Sequence, residues 1–395
     1  MTEWIECTLD KLGEIVGGAT PSTKCEDYYG GSIPWITPKD LSSFKGRYIT
    51  SGERNITEKG LASCSAQMMP KDAVLFTSRA PIGYVAIASQ SVCTNQGFKS
   101  IVVNEKADPL FVYYLLKYNK DAIEAMGSGT TFKEVSGKTM RAVKVRIPLD
   151  VSYQKRIAAV LDSLDTKIEN NERINDNLEQ QAQSYFQELF VDNADPEWTT
   201  GTISDLGTVV GGSTPSKAKP EYYTESGIAW ITPKDLSINK SKFVSHGEND
   251  ITELGLKNSS AAIMPEGTVL FSSRAPIGYI AIATGEVTTN QGFKSVVPKP
   301  EIGTPFVYFF LKNTLPVIEG MASGSTFKEV SGSTMKKVPA VIPDAETLAK
   351  FSSFCAPIFA QQRILEEQNQ SLAILRDNLL PKLMSGEIDV SDVQL

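Results

Sequence analysis

The chain of 395 residues carries a formal net charge of −7 and is 41% hydrophobic and 22% charged. This composition is that of a folded globular protein and excludes disordered and fibrous chains. No apolar run approaches the roughly 18 residues of a membrane span, and the first residues lack the basic and apolar regions of a signal peptide. We therefore expect a cytoplasmic protein that makes no membrane contact.

The cysteines and histidine exclude further classes. The five cysteines are scattered and odd in number, and none forms a C-x-x-C pair, so we expect reduced thiols rather than a disulfide framework. The single histidine, His246, leaves no usual zinc site and argues against His-dependent hydrolysis. The acidic net charge argues mildly against coating nucleic acid by bulk charge, but local basic clusters remain compatible with it.

The chain is a tandem repeat. Trp35 to Ser42 returns as Trp230 to Ser237, an offset of 195 that holds without a gap over residues 33–148 and 228–343. Over that alignment 65 of 116 positions are identical, and upstream the offset becomes 194. Each copy of about 195 residues is long enough to hold its own core, so two sites of one kind follow.

The residue pattern of each copy changes at an Ile-Pro pair, Ile147-Pro148 in the first copy and Ile342-Pro343 in the second. Before the pair, short β-rich runs flank Gly and Pro turns, with one helical stretch near residues 110–125, which indicates a compact α+β domain. After it, apolar residues recur in steps of three and four, which is typical of a coiled-coil seam. We expect a helix of about 38 residues and roughly 57 Å there in each copy.

A lone helix with such a seam would expose a long apolar stripe, so we expect the two helices to pack on one another. Polar residues interrupt the seam and can fix its register, which would set the distance between the attached domains. These seam residues are Asn171, Asn175, Gln362 and Asn369. The alternative, that each helix packs back on its own domain, stays open, and Pro357 and Pro381 favour it.

The search for catalytic motifs gives little. Ser136 to Thr139 ends like a phosphate-binding loop but lacks its first glycine, and the second copy, Ser331 to Thr334, lacks the lysine. Asp162, Asp165 and Lys167 faintly suggest a nuclease cluster, but they lie on the predicted helix, and we interpret them as solvated helix charges. No Gly-x-Gly-x-x-Gly cradle and no Asp/Asn-Pro-Pro-aromatic motif occurs. The sequence predicts a non-catalytic protein.

Each domain repeats polar and basic motifs of the kind that binds nucleic acid. Asn and Gln can pair with adenine, Arg with guanine, and Gly, Ser, Thr and Lys loops with phosphate. The candidate DNA-binding residues are Lys39, Arg79, Asn95, Gln96, Lys99, Ser128, Thr131 and Lys133, with their copies Lys234, Arg274, Asn290, Gln291, Lys294, Ser323, Thr326 and Lys328. A structural role is the alternative: Asn95 and Gly97 would shape a turn, Arg79 would pair with a carboxylate, and Trp35 and Phe98 would be core.

At this point the chain resembles, over nearly its whole length, the specificity subunit of Type I restriction-modification systems. The motifs that carry the resemblance are Gly17-Gly18-x-Thr20-Pro21-Ser22, Ile33-x-Trp35-Ile36-Thr37, Ser78-Arg79-Ala80-Pro81-Ile82-Gly83, Asn95-Gln96-Gly97-Phe98, Ser128-Gly129-x-Thr131-Phe132, Ile147-Pro148 leading into Gln154-Lys155-x-Ile157, and Leu379-Leu380-Pro381-Lys382-Leu383-x-Ser385-Gly386. The resemblance implies two target-recognition domains, each of which reads one half of a bipartite site in double-stranded DNA. It also implies that the two helices form an antiparallel spacer.

The same resemblance implies the partners and cofactors. Two methyltransferase subunits would dock on the helices, and restriction/translocase subunits would join that core. S-adenosylmethionine, ATP and Mg²⁺ would bind to those partners and not to this chain, in agreement with the lack of catalytic motifs. The partners would also supply much of the positive charge that clamps DNA, which eases the objection from the acidic composition.

One departure from the family is the similarity of the two domains, since members usually carry two dissimilar ones. We expect both to read the same or a closely related half-site in opposite orientation, which gives an interrupted palindrome. The differences concentrate in two pairs of segments, residues 43–51 against 238–246 and 103–110 against 298–305. We assign the repeated Lys and Arg residues mainly to the DNA backbone, and Asn95 and Gln96 are weaker candidates.

The expected organisation is α+β, with recognition domain 1 at 1–148, helix 1 at 149–192, recognition domain 2 at 193–343, helix 2 at 344–385 and a frayed acidic tail at 386–395. Two other functions stay open at this point. One is a protein scaffold whose repeats bind two copies of a partner, and the other is a stand-alone DNA-modifying enzyme with an unfamiliar site. A scaffold should show no salt-sensitive DNA affinity, whereas a stand-alone enzyme should act on DNA without partners.

Overall fold

The computed structural model describes residues 2–129, 133–324 and 328–394. The chain divides into two compact units: unit 1 comprises residues 1–170 and 369–395, and unit 2 comprises residues 171–368. Each unit therefore holds one globular domain together with a segment of each long helix. Among the described helices, none is both long and apolar enough to cross a membrane.

Unit 1 contains short strands, short helices and the first part of a long helix. Its strands are β1 Trp4–Thr8, β2 Gly13–Gly17, β3 Tyr29–Ile36, β4 Tyr48–Ile49, β5 Asn55–Ile56, β6 Val74–Ser78, β7 Ile82–Ala88, β8 Cys93–Thr94, β9 Lys99–Val103 and β10 Lys144–Pro148. Its helices are α1 Pro38–Ser42, α2 Glu58–Ala62, α3 Pro109–Tyr118, α4 Lys120–Ala125, α5 Gly137–Ala142 and the start of α6 Val151–Gln187. The main sheet has the order β2-β9-β6-β7-β4, and smaller sheets have the orders β5-β3-β8 and β1-β10.

Unit 2 repeats this arrangement. Its strands are β11 Thr199–Thr202, β12 Gly207–Gly211, β13 Tyr223–Thr224, β14 Ile228–Ile231, β15 Phe243–Val244, β16 Asn249–Ile251, β17 Val269–Ser273, β18 Ile277–Ala283, β19 Thr288–Thr289, β20 Lys294–Pro298 and β21 Pro339–Ile342. Its helices are α7 Ile203–Leu206, α8 Pro233–Ile238, α9 Glu253–Lys257, α10 Thr304–Gly320, α11 Gly332–Lys336 and α12 Ala345–Ser385, which continues into unit 1. The main sheet, β12-β20-β17-β18-β15, matches that of unit 1 strand for strand.

The centre of each main sheet is a hairpin formed from a buried apolar run. Every residue of β6 is buried, and β6 pairs antiparallel with β7 across the turn that contains Arg79. Gly83, just after the turn, has a φ of +99°, a conformation that favours glycine. The α3 helix packs on this sheet and is capped by Asp108, whose side chain accepts a hydrogen bond from the backbone of Phe111 at 3.0 Å.

The two long helices pack on each other antiparallel within each unit. In unit 1, Arg376 of α12 donates to Asp165 of α6 at 2.7 Å, and Asn369 donates to the Ile168 carbonyl at 3.4 Å. Contact positions that rise along α6, from residue 165 to 168, pair with positions that fall along α12, from 376 to 369, so the two helices run antiparallel. The α+β fold with two similar domains and antiparallel long helices is confirmed.

The helices also pack on the domains, so the two expected arrangements occur together. Ile157 and Leu161 of α6 belong to the same buried cluster as Phe111 of α3, and Leu383 of α12 joins it. In unit 2, Ala182 and Phe186 of α6 lie in the core with Phe309, and Phe351 of α12 contacts Phe186 with ring centroids 5.8 Å apart. Helix–helix and helix–domain packing share one core in each unit. The α12 helix continues through Pro357 and Pro381.

The expectation of a frayed tail was wrong for the part that the structure describes, residues 386–394. Val390 is 2% exposed within the unit 1 core, and Ile388 and Val393 pack against it. The Tyr153 hydroxyl donates to Asp389 at 3.0 Å and accepts from the Val390 backbone at 3.2 Å. The side chains of Ile388, Val390 and Val393 therefore anchor this otherwise acidic segment to the core of unit 1.

Candidate nucleic-acid interface

The start of α1 presents Lys39 to solvent. The Asp40 carboxylate accepts hydrogen bonds from the Thr37 backbone at 2.7 Å and from the Thr37 hydroxyl at 2.6 Å, which caps the helix. Asp40 also accepts from the Glu53 backbone at 2.8 Å. Lys39 points away from this cap and pairs with the exposed Glu53 carboxylate at 2.7 Å, which raises the Lys39 pKa.

The turn of residues 95–97 lies against this helix. Asn95 accepts a hydrogen bond from the Gly97 backbone at 2.8 Å through its side-chain oxygen, so its amide shapes the turn. A Cβ on Gly97 would lie 2.7 Å from Pro38, so only glycine allows this approach. Gln96 is exposed at the tip and contacts the Thr20 hydroxyl.

Unit 2 shows the same arrangement as a defined cavity of about 380 Å³. Lys234, Asn290 and Gln291 line it together with Thr214, and Lys234 pairs with Glu248 at 2.6 Å. The structure therefore brings the Thr-Pro-Lys-Asp motif, which contains Lys234, together with the Asn-Gln pair, Asn290 and Gln291. The Lys234 ammonium, the Gln291 amide and the Thr214 hydroxyl line one concave surface. Such a surface can bind a polar group that has both donor and acceptor atoms.

Arg79 and Lys99 meet at a single carboxylate. The Glu134 side chain lies 3.4 Å from an Arg79 guanidinium nitrogen and 3.5 Å from the Lys99 ammonium. In unit 2, Glu329 lies 3.6 Å from Arg274 and 3.9 Å from Lys294. We call these three-residue groups the basic clusters. In each, two cations share one anion at distances longer than a strong charge-assisted hydrogen bond.

The backbone holds each basic cluster beside the turn. The Ser78 amide donates to the Gly97 carbonyl at 2.7 Å, and the Val135 amide donates to the Ser78 carbonyl at 2.9 Å. Three segments distant in sequence are thereby joined at one end of the main sheet. Burial lowers the pKa of the Lys294 ammonium, and Glu329 offsets only part of that shift, so a further anion at this place would stabilise the charged lysine.

Of the remaining candidates, the structure describes Ser128, Lys133, Ser323 and Lys328. Ser128 is exposed, and its backbone exchanges two hydrogen bonds with Glu134 at 3.0 and 2.9 Å, which places Ser128 beside the basic cluster of unit 1. Ser323 is placed in the same way by Glu329, and both Lys133 and Lys328 are exposed. Thr131 and Thr326 lie outside the described residues.

Glu134 and Glu329 were missed by the sequence reasoning. Both stand in the repeated run Thr-Phe-Lys-Glu-Val-Ser-Gly, so a carboxylate conserved between the two copies beside basic motifs was the available signal. Trp35 is 6% exposed and donates from its indole nitrogen to the Ala19 carbonyl at 3.0 Å. Its role is therefore in the core, the alternative that the sequence left open, and Phe98 is fully buried as well.

The seam residues contact the opposite helix. In unit 2, Asn171 donates to the Gln368 side chain at 3.4 Å, and Asn175 and Gln362 donate to each other's backbone carbonyls at 3.4 and 3.2 Å. In unit 1, Asn369 donates to the α6 backbone at 3.4 Å. Each amide bonds across the helix pair, as a side chain that fixes register must do.

The residues that faintly suggested catalysis have structural partners. Ser136 caps α5 by accepting a hydrogen bond from the Thr139 backbone at 3.0 Å. Our interpretation of the helix aspartates as solvated was wrong for Asp165, which is 7% exposed and bonds Arg376 and the Tyr114 hydroxyl. Within residues 2–129, 133–324 and 328–394, no group of His, Cys, Asp and Glu side chains is placed to hold a metal ion.

Comparison with known proteins agrees with the resemblance. The family model described as "Type I restriction modification DNA specificity domain" matches residues 1–180 and again residues 196–375. The Type I restriction enzyme MjaIX specificity subunit of Methanocaldococcus jannaschii is 31% identical, over 99% of this chain and 95% of that protein. The Type I restriction enzyme HindI specificity subunit of Haemophilus influenzae is 24% identical, over 73% of this chain and 80% of that protein.

A solved structure shares the fold. The crystal structure of the Type-I restriction-modification system S subunit from M. genitalium superimposes with a TM-score of 0.61 at 18% identity, and the match covers 97% of this chain and 96% of that one. At this identity the likeness concerns the fold alone.

The turn geometry separates the roles of Asn95 and Gln96. We expect Asn95→Ala to destabilise the protein by about 1 kcal/mol, because the Gly97 amide loses its partner. Gln96→Ala should change stability by less than about 0.5 kcal/mol, because the side chain is exposed. Urea unfolding midpoints of the two variants check this, and an equal or larger loss for Gln96→Ala would contradict the assignment.

Proposed function

The chain belongs to the family of type I restriction-modification DNA specificity proteins, and on that premise we propose that it is the DNA-recognition subunit of a type I restriction-modification complex. Each domain would read one half of a bipartite site in double-stranded DNA. The observation that carries the proposal is the duplicated surface: both units present Lys, Gln and an Arg-Lys-Glu cluster on the same structural elements. The chain itself would carry out no catalysis.

The geometry suggests which of these residues would contact phosphates and which would contact bases. Lys39, Arg79, Lys99 and Lys133, with their copies in unit 2, would contact phosphates, because cations fix position on the duplex without reading sequence. Asn95 uses its oxygen within the turn, so Gln96 at the exposed tip is the better candidate for base contact. A glutamine amide can pair bidentately with adenine.

The equivalence of the two surfaces supports an interrupted palindrome as the target. A half-site read by unit 1 would be read in opposite orientation by unit 2 if the two units present the same groups to bases. Of the candidate residues within the described ranges, each has an identical residue in the other copy. An asymmetric target would require base contacts from the divergent segments.

The long helices would dock the partners. Apolar side chains on them remain exposed to solvent, with Ile174 and Ile364 in unit 2 and Ile374 and Leu375 in unit 1. Exposed apolar side chains of this size mark interaction sites when they gather on one element. We assign them to two methyltransferase subunits, which restriction/translocase subunits would join in the cytoplasm. S-adenosylmethionine, ATP and Mg²⁺ would then bind to those partners.

The direct test is co-expression with its cognate methyltransferase subunit in a host without DNA methylation. Single-molecule sequencing then maps N6-methyladenine. We expect methylation at one bipartite motif that is an interrupted palindrome. A bipartite but asymmetric motif would keep the function and refute the equivalence of the domains. A well-formed complex that methylates nothing would contradict the proposal and favour the scaffold.

The basic clusters give a second prediction. Glu134→Gln should raise DNA affinity by roughly twofold to fivefold, because it removes a negative charge that competes with phosphate for Arg79 and Lys99. Filter binding or fluorescence anisotropy with the methyltransferase complex measures this. Glu6→Gln is the matched control, because Glu6 is an exposed partner of Lys144 at 3.2 Å outside the cluster. A loss of affinity for Glu134→Gln would show instead that the carboxylate contacts a base.

A further inference from the structure

One of the two segments in which the copies differ most also contacts the long helices in each unit. Residues 43–51 and 238–246 contain the edge strands β4 and β15 of the main sheets. Each segment carries a buried cation at the same position of the repeat, Arg47 in unit 1 and Lys242 in unit 2. A buried charge needs a partner to be tolerated, so each cation depends on what the helices offer.

In unit 1 the partners lie on one face of α6. Arg47 is 6% exposed, and its Nε atom lies 3.0 Å from the Asp162 carboxylate. A second guanidinium nitrogen lies 3.3 Å from Glu169, and a third donates to the Thr166 hydroxyl at 2.8 Å. The fork of the guanidinium thus spans two turns of the helix, which is a geometry that lysine cannot reproduce.

In unit 2 the partners come from both long helices. Lys242 is 8% exposed, and its ammonium lies 2.8 Å from Glu179 of α6 and donates to Gln362 of α12 at 2.9 Å. The ammonium also lies 3.5 Å from the centre of the Phe359 ring. Two backbone amides of the segment donate to the Glu366 carboxylate at 2.9 and 3.0 Å.

Burial lowers the pKa of the Lys242 ammonium at this second site to about 8, and Glu179 offsets part of that shift. Burial alone would raise the pKa of the Glu179 carboxyl, but Lys242 and Lys312 more than offset it and lower the pKa to about 2. Glu179 is therefore ionised at neutral pH and available as the partner of the buried lysine.

Except for Glu366, which corresponds to Glu172, the helix partners of one unit are missing from the equivalent positions of the other. With the offset of 194 that relates the two helices, the partners of Arg47 correspond to apolar or cationic residues, Ala356, Ala360 and Arg363. The partners of Lys242 likewise correspond to Ile168 for Gln362 and Ala373 for Glu179. Each segment has therefore changed together with the helix surface on which it lies.

We propose that residues 43–51 and 238–246 determine on which helix segments each recognition domain docks, and that their divergence does not alter the bases that the domains read. The second part rests on the proposed function. Two domains with the same DNA-contacting groups are thereby distinguished by the anchors that hold them. This sequence difference between the copies then leaves the two half-sites alike.

Double-mutant cycles on the full chain test the docking. Arg47→Gln and Asp162→Asn should each lower the thermal unfolding midpoint of unit 1, by roughly 6 °C or more for Arg47→Gln. The double variant should lose clearly less than the sum of the two, because the substitutions remove one shared interaction. Lys242→Gln with Glu179→Gln should behave in the same way in unit 2.

The crossed pairs are the matched controls. Arg47→Gln with Glu179→Gln, and Lys242→Gln with Asp162→Asn, place the two substitutions in different units, so their effects should add. Additive effects for the proposed pairs, or unfolding midpoints unchanged by any of the four substitutions, would overturn the docking claim. This measurement needs no DNA and stands whether or not the chain recognises DNA.

The second part is tested by the methylated motif. Replacing residues 43–51 by the sequence of residues 238–246 should lower stability and leave the motif unchanged. Should that chain not fold, Ser43→Ile and Ser51→His carry exposed residues of unit 2 into unit 1 without touching Arg47. A changed half-site in any of these variants would overturn the claim. Absence of methylation by the unmodified chain would count against the proposed function alone, since the cycles still decide the docking.

Discussion

Both long helices contribute apolar side chains to the core of each unit, and the positions of the polar groups depend on that shared core. Ile157 and Leu161 of α6 and Leu383 of α12 pack with the helix that covers the main sheet of unit 1. Once these side chains are buried, charges that lie beside them must be paired. The ion pairs of Asp165 with Arg376 and of Arg47 with Asp162 satisfy this requirement. The apolar packing supplies stability, and the buried pairs supply register and orientation.

The proposed DNA-contacting surface follows a different physical rule. The cations of its basic clusters are only loosely paired, with Glu134 3.4 and 3.5 Å from Arg79 and Lys99. An acidic chain with a net charge of −7 gains little from bulk attraction to DNA. Local clusters that keep a carboxylate between two cations limit repulsion between those cations before DNA binds. The same carboxylate then makes phosphate binding a competition, which favours contacts that satisfy several groups at once.

Much of the fold could be predicted from the repeat and from apolar periodicity, because both are local patterns. The seam amides could be predicted from the spacing of the apolar residues around them. The start of each long helix could be predicted from the change in composition after the Ile-Pro pair. The partner of Asp165 could not be predicted, since Arg376 lies 211 positions away and nothing in the sequence marks the pair. Asn95 was a reasonable base reader by residue type, but the turn uses its oxygen. We expected the tail to fray because acidic residues dominate its composition. The structure instead buries the Val390 side chain in the core of unit 1.

The proposed function, with an interrupted palindrome as the target, requires that the two domains are equivalent DNA-reading surfaces. The direct measurement is the salt dependence of affinity for the duplex identified by its methylation, compared among the unmodified complex, Arg79→Gln and Arg274→Gln. Both variants should lose affinity by the same factor, and each should reduce the slope of log affinity against log salt by about 1. Clearly unequal losses, or a slope that neither substitution changes, would contradict the equivalence of the two surfaces.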